Sequence, residues 1–335
     1  MNRTRYRPQW LQALVIVLSL GVVPMAFAGR ADDSGRDGPN ARGRARLVVF
    51  GDSLSDPGNY YIAFGETSVA PYAPVPSAPY DVDGHRFTNG ETWVEQLADR
   101  LDTPQSGSPA LQRPGVFTNY AVGRARARPG APEFAAFDLS TQVGLFMNDF
   151  RGQSPADATY VIWIGANDLD DALGALATDP TGAASGAIIQ AALSSIASNI
   201  VALWSTGARH FLIPDMPDLS ITPVVQSLGP QAGAAASALT GAFNGGLDAV
   251  IAQLQGLPQI RLLRLDDAAV LESVLADPDA FHFADVTDAC LQFGVTVDAI
   301  CDHPRDFLFW DGLHPTRHGH AVVAREAFEV LRRAR

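Results

Sequence analysis

From residue 46 onward, short blocks of continuous apolar residues alternate with longer stretches whose apolar positions recur every three or four residues. The blocks predict strands at 46–50 (Arg-Leu-Val-Val-Phe), 116–122, 159–164 (Thr-Tyr-Val-Ile-Trp-Ile), 210–213 and 260–265. Continuous apolar runs of this kind suit a parallel sheet covered on both faces. The longer stretches predict helices. The first, 91–101, sets Trp93, Val94, Leu97 and Leu101 on one face, with Thr88 or Asn89 as its cap. Others follow at 139–150, 185–204, 232–254 and 317–331. Strands alternating with helices of this length predict an α/β chain, a three-layer α/β/α sandwich around a parallel central sheet, as a single domain over 46–335.

Two segments break the alternation. Residues 60–89 keep no period, are rich in Pro and Gly, and carry Tyr60, Tyr61, Phe64, Tyr72, Tyr80 and Phe87. They predict a long ordered loop whose aromatics either line a substrate groove or cover the core. At the amino terminus, Arg3, Arg5 and Arg7 precede an apolar run from Leu11 to Val23 and the small-x-small triplet Ala26-Phe27-Ala28. That order predicts a secretory signal peptide over 1–28 and an exported, periplasmic or secreted protein. The run is shorter than the roughly 20 residues that span a bilayer. No later segment is expected to span a membrane either. Residues 29–45, rich in Gly, Arg and Asp, predict a flexible leader.

An apolar content of 47% is ample for a sizeable core, and the formal charge of −12 argues against a nucleic-acid partner. All 24 of the Lys/Arg residues are Arg, which excludes a Schiff-base or P-loop lysine. Cys290 and Cys301 are the two cysteines. In an oxidising compartment a disulfide is the expected state.

The chemistry gathers where strands end. The stretch Val48-Val49-Phe50-Gly51-Asp52-Ser53 puts a serine on the turn leaving the first strand, where a helix amino end would favour developing negative charge. Asn167, after Gly165-Ala166, ends another strand and offers an uncharged donor suited to an oxyanion. Gly123, after Asn119-Tyr120-Ala121-Val122, offers an unobstructed backbone N–H. Near the carboxyl terminus, Asp311-Gly312-Leu313-His314-Pro315 supplies a base and, three residues earlier, a carboxylate to orient it. His314, His318 and His320 do not fit common metal spacings, and His85, His210, His282 and His303 read as structural or surface residues.

Together these blocks resemble the SGNH (GDSL-type) hydrolase family. The first block matches Gly51 to Asp56, the second Asn119-Tyr120-Ala121-x-Gly123, the third Gly165 to Asp168 and the last Asp311 to Pro315. Gly84-His85-Arg86-Phe87-Thr88-Asn89-Gly90 and Phe309-Trp310 are similar to the longer lipase/esterase branch, and Arg124 stands where many relatives carry a second glycine. The resemblance implies a flavodoxin-like sheet order and a serine esterase or lipase acting on small-molecule or lipid acyl esters. It further implies the triad Ser53, His314 and Asp311, an oxyanion hole of Ser53, Gly123 and Asn167, no cofactor, and at most transient contact with a lipid surface. An acyltransferase or a carbohydrate O-acetyl esterase would use the same site. A non-catalytic binding module would have no need of all these groups.

Overall fold

In the computed structural model, residues 46–66, 69–73, 84–130 and 137–334 are described, and the signal peptide and leader expected at 1–45 lie outside them. Four strands make the central sheet: β1 Leu47–Gly51, β2 Thr159–Trp163, β3 His210–Pro214 and β4 Arg261–Leu265, in the order β1-β2-β3-β4. All pairs are parallel, with Leu47 opposite Thr159, Thr159 opposite His210 and His210 opposite Arg261. β1 is fully buried, which is why its sequence shows no polar alternation.

The segment expected as a strand at 116–122 runs along the free edge of β1 without becoming one. Val49 N–H donates to Thr118 O at 2.9 Å, Tyr120 N–H to Val49 O at 2.8 Å and Val122 N–H to Gly51 O at 3.2 Å. Asn59 Nδ2 takes the carbonyls of Asn119 and Ala121 at 2.8 and 2.9 Å, so side chains do part of what a neighbouring strand would do. Counting this segment, the sheet has the flavodoxin-like 2-1-3-4-5 order.

Ten helices are described: α1 Asn59–Phe64, α2 Trp93–Arg100, α3 Pro104–Gly107, α4 Leu139–Asp149, α5 Ala166–Ala175, α6 Ala183–Ser205, α7 Pro223–Ser227, α8 Pro230–Leu254, α9 Asp267–Ala276 and α10 Arg317–Arg333. α2 packs on α10, while α4, α6 and α8 pack side by side, which gives the two helical layers of the sandwich. Contrary to expectation, α6 is long and apolar enough by length and composition to cross a membrane. Its Ile189, Ala192, Leu193, Ile196, Ile200 and Leu203 are nevertheless buried in the main core against α4, α5 and α8.

The loop expected at 60–89 begins with α1. Tyr60 and Phe87 form a small core with Val122, and Tyr80 lies outside the described residues.

Between α9 and α10 two short parallel strands, β5 Asp285–Ala289 and β6 Phe307–Phe309, form a second sheet that periodicity did not reveal. The loop between them is closed by the Cys290–Cys301 disulfide. Cys290 N–H donates to Phe309 O, and Trp310 packs on Cys290 and Leu291, so the stapled loop braces the approach to Asp311. Replacing both cysteines by serine should lower unfolding free energy by about 2–3 kcal/mol, read as a shift of the urea midpoint that reductant reproduces in the unaltered protein.

Candidate active site

The turn after β1 carries Ser53. Gly51 is required by proximity: a Cβ there would stand 2.7 Å from the Trp163 carbonyl of β2. Gln142, buried on α4, satisfies both backbone groups of Gly51, accepting from its N–H at 2.9 Å and donating to its carbonyl at 2.8 Å. The helix expected to begin at Ser53 does not. A turn over residues 53–55 and three further non-helical residues intervene, and α1 begins only at Asn59, where Asp56 Oδ1 accepts from the N–H groups of Gly58 and Asn59 at 2.8 and 2.6 Å.

Across the cleft, β6 leads into a tight turn. Trp310 N–H donates to His314 O and Thr316 N–H to Leu308 O, so the chain doubles back around Asp311. Asp311 Oδ1 accepts from the N–H groups of Leu313 and His314, both at 2.8 Å. Its Oδ2 lies 2.8 Å from His314 Nδ1, and His314 Nε2 lies 2.8 Å from Ser53 Oγ. Asp311 is fully buried and His314 nearly so, while Ser53 is half-exposed. With Nδ1–H donated to the carboxylate, Nε2 is the lone-pair nitrogen facing the hydroxyl.

The block 84–90 braces this turn. The Phe87 ring lies 5.3 Å from the His314 ring, Thr88 Oγ1 donates to Pro315 O at 2.7 Å, and Asn89 Oδ1 accepts from Arg317 N–H at 2.7 Å. Asn89 therefore serves the start of α10. α2, which it was expected to cap, uses Thr92 and Glu95 instead.

Asn167, in the first turn of α5, donates from Nδ2 to Ala125 O at 2.9 Å, which orients the amide and leaves its second N–H. Gly123 departs from expectation. Its N–H donates to Asp56 Oδ2 at 2.7 Å and is not available to a substrate. A Cβ on it would stand 2.2 Å from the Phe87 ring, so the glycine is there to admit that ring. The next residue, Arg124, adopts φ 64°, and among the described residues its N–H has no recorded acceptor. The arginine at a position where relatives carry glycine was the available sequence signal for that left-handed turn.

A family model described as GDSL-like Lipase/Acylhydrolase matches residues 47–327, which include all of these groups. The chain belongs to this family of ester hydrolases. Lipase 1 of Photorhabdus luminescens is 25% identical over 87% of this chain and 51% of its own length, so the chain spans about half of that relative. A GDSL esterase/lipase of Arabidopsis thaliana is 25% identical over 85% of this chain and 86% of its own. A phosphatidylcholine-sterol acyltransferase of Aeromonas hydrophila is 28% identical over 73% and 65%. Among solved structures, an acetylxylan esterase of Geobacillus stearothermophilus covers 86% of this chain and 94% of its own, at 13% identity and a TM-score of 0.45.

Sequence reasoning passed over several groups on which this GDSL site depends. Gln142 was visible as a polar residue in the apolar stripe of the 139–150 helix, beside Val143 and Phe146. Asp56 closes the first matching block but gave no sign of its role, and Asn59 gave no signal, because side chains that bind backbone groups leave no periodic trace. His318 Nδ1 meets Arg305 O at 2.8 Å, whereas His320 is buried elsewhere with Nδ1 unpartnered.

Burial, and then the charge on His314, push His320 down to about 3. An unfolded histidine titrates near its ordinary value, so between that value and about 3 the unfolded chain binds a proton that the folded chain does not. Stability must fall as pH drops through this window. His320→Leu should flatten that fall by about 1–2 kcal/mol between pH 7 and roughly pH 5, read from urea unfolding of both proteins at each pH.

Proposed function

We propose that this chain is an exported serine esterase or lipase that hydrolyses carboxylic acyl esters, with Ser53 as nucleophile, His314 as general base and acid, and Asp311 as its orienter. The continuous contact from Ser53 Oγ through His314 to Asp311 is the observation that carries the reading. Export rests on the Arg-led, apolar, small-x-small order of the first 28 residues.

Ser53 Oγ attacks the ester carbonyl carbon while its proton passes to His314 Nε2, and Asp311 stabilises the imidazolium that results. The carbonyl oxygen becomes an oxyanion. Three donors suit it: the Ser53 N–H, the second Nδ2–H of Asn167, and the Arg124 N–H in place of Gly123. As the tetrahedral intermediate collapses, the bond to the alcohol oxygen breaks and His314 returns its proton to that oxygen. Water, deprotonated by the same nitrogen, then attacks the acyl-enzyme, and the acid leaves with Ser53 restored.

Hydrolysis of a p-nitrophenyl ester series from acetate to palmitate tests the mechanism. Ser53→Ala should fall to background, and Asn167→Ala should lose about 10²–10³ in kcat with a smaller change in KM. A folded Ser53→Ala protein that retains wild-type rates would refute the nucleophile.

A further inference from the structure

Ser53, His314 and Asn167 open onto a cavity of about 130 Å³ that runs away from the triad between the loop after β3, helix α9 and helix α10. Its wall is mostly hydrocarbon, supplied by Ile221, Val270, Leu271, Val274, Leu308 and Val322, with Asp170, Asp218 and Asp267 as its carboxylates. None of the described aromatics between residues 60 and 89 lines it. One of these carboxylates stands apart. Asp267, the first residue of α9, is 3% exposed, and its Oδ1 is enclosed without a hydrogen-bond partner.

The carboxylates beside Asp267 are employed, and Asp170, also on the wall, is exposed. Asp266 caps α9 by accepting from Ala269 N–H at 3.0 Å. Asp215 accepts from Ala268 N–H at 3.0 Å and pairs with Arg264 at 3.1 Å. Asp218, also on the cavity wall, takes Ser220 N–H and Ser237 Oγ–H. Among the described residues, Asp267 is the only cavity-lining side chain with an enclosed, unpartnered polar atom. Such a group weakens the fold unless something that visits the cavity satisfies it.

We infer that this cavity receives an acyl chain bearing a hydroxyl group remote from the ester, and that the Asp267 carboxyl is the group that recognises it. The inference rests on the esterase reading above and names the substrate class of the same site. Burial, followed by the charges of Asp215 and Asp266, pushes Asp267 up to about 8, so the carboxyl is neutral at pH 7. A carboxylic acid both donates and accepts, which matches an alcohol hydroxyl. A methyl terminus would leave it unpaired, and an anionic terminus would meet Asp215 and Asp266. The acyl half of the ester is the half that fits. The alcohol departs before water attacks, whereas the acyl group stays attached to Ser53 and is the part an enclosed apolar site can retain.

The test compares straight-chain p-nitrophenyl esters with their ω-hydroxyacyl counterparts at matched lengths from butanoate to dodecanoate. The wild type should favour the hydroxyacyl ester by about tenfold or more in kcat/KM at the length that reaches Asp267. Asp267→Asn, which still donates and accepts, should keep the preference, and Asp267→Leu should reverse it. Inhibition of the wild type by free ω-hydroxy acids and by plain acids needs no variant and should show the same ordering. Equal kcat/KM and equal inhibition at every length would overturn the inference, as would a preference unchanged in a folded Asp267→Leu protein. So would a preference that follows a hydroxyl placed on the alcohol side. Failure of the esterase reading looks different: no turnover of any ester by folded wild type, and no labelling of Ser53 by a fluorophosphonate.

Discussion

The buried carboxylate of Asp56 holds the nucleophile's turn and the segment beside it in one arrangement. It accepts from the N–H groups of Gly58, Asn59 and Tyr60 on its own loop, and from Gly123 on a segment more than sixty residues away in sequence. Burial pushes this carboxyl up to about 6, and the four donors pull against that shift. A carboxylate in an apolar interior is tolerable only when so surrounded, so the loop and the segment cannot move independently without stranding it. Asn59 and Asn119 extend the clamp. Asn59 takes the carbonyls of Asn119 and Ala121, and Asn119 Nδ2 donates to Ser55 O at 2.9 Å. Ser53 therefore sits on a turn pinned from two sides, which suits the proposed nucleophile because it would meet its base without reorganisation.

The same economy of charge governs the base. In the proposed mechanism His314 accepts a proton during attack, and a second cation nearby would oppose that step. His320 lies close enough for the two rings to influence each other electrostatically, yet burial pushes it down to about 3, so it is neutral near pH 7. Asp52, buried next to the nucleophile, is pushed up to about 6 by desolvation, against which the Leu54 N–H and the charge on His314 act. Negative charge on this edge is thus gathered where N–H groups or imidazole answer it.

The sheet, and the residues that meet at its edge, were legible because their signals are local. Continuous apolar runs gave β1 through β4 within a residue or two, and Ser53, Asn167, Asp311 and His314 each follow such a run or stand beside a helix start. What stayed hidden depends on partners distant in sequence. The segment at 116–122 has the composition of a strand, but Asn59 occupies part of its ladder. Gly123 was expected to approach substrate. Only the fold shows that the space above it is filled by Phe87 and that Asp56 holds its N–H. The β5–β6 sheet escaped because one of its strands, Asp-Val-Thr-Asp-Ala, is mostly polar and none of its residues is fully buried.

Arg124 shows what the loop gains by giving up a glycine. A non-glycine residue in the left-handed region costs on the order of 1 kcal/mol. Against that, an arginine has fewer unfolded conformations to lose than glycine does, and its side chain can be used. The guanidinium lies 5.7 Å from the centre of the Tyr60 ring, whose hydroxyl in turn donates to Glu66. The Arg124 carbonyl accepts from Arg126 Nη1, and Arg126 is paired with Asp171 on α5, the helix that carries Asn167. The turn is thereby tied to α1 on one side and to α5 on the other. A glycine would leave the turn more backbone freedom, whereas the arginine is tied on both sides, which in the proposed mechanism would set the position of its N–H before the substrate arrives.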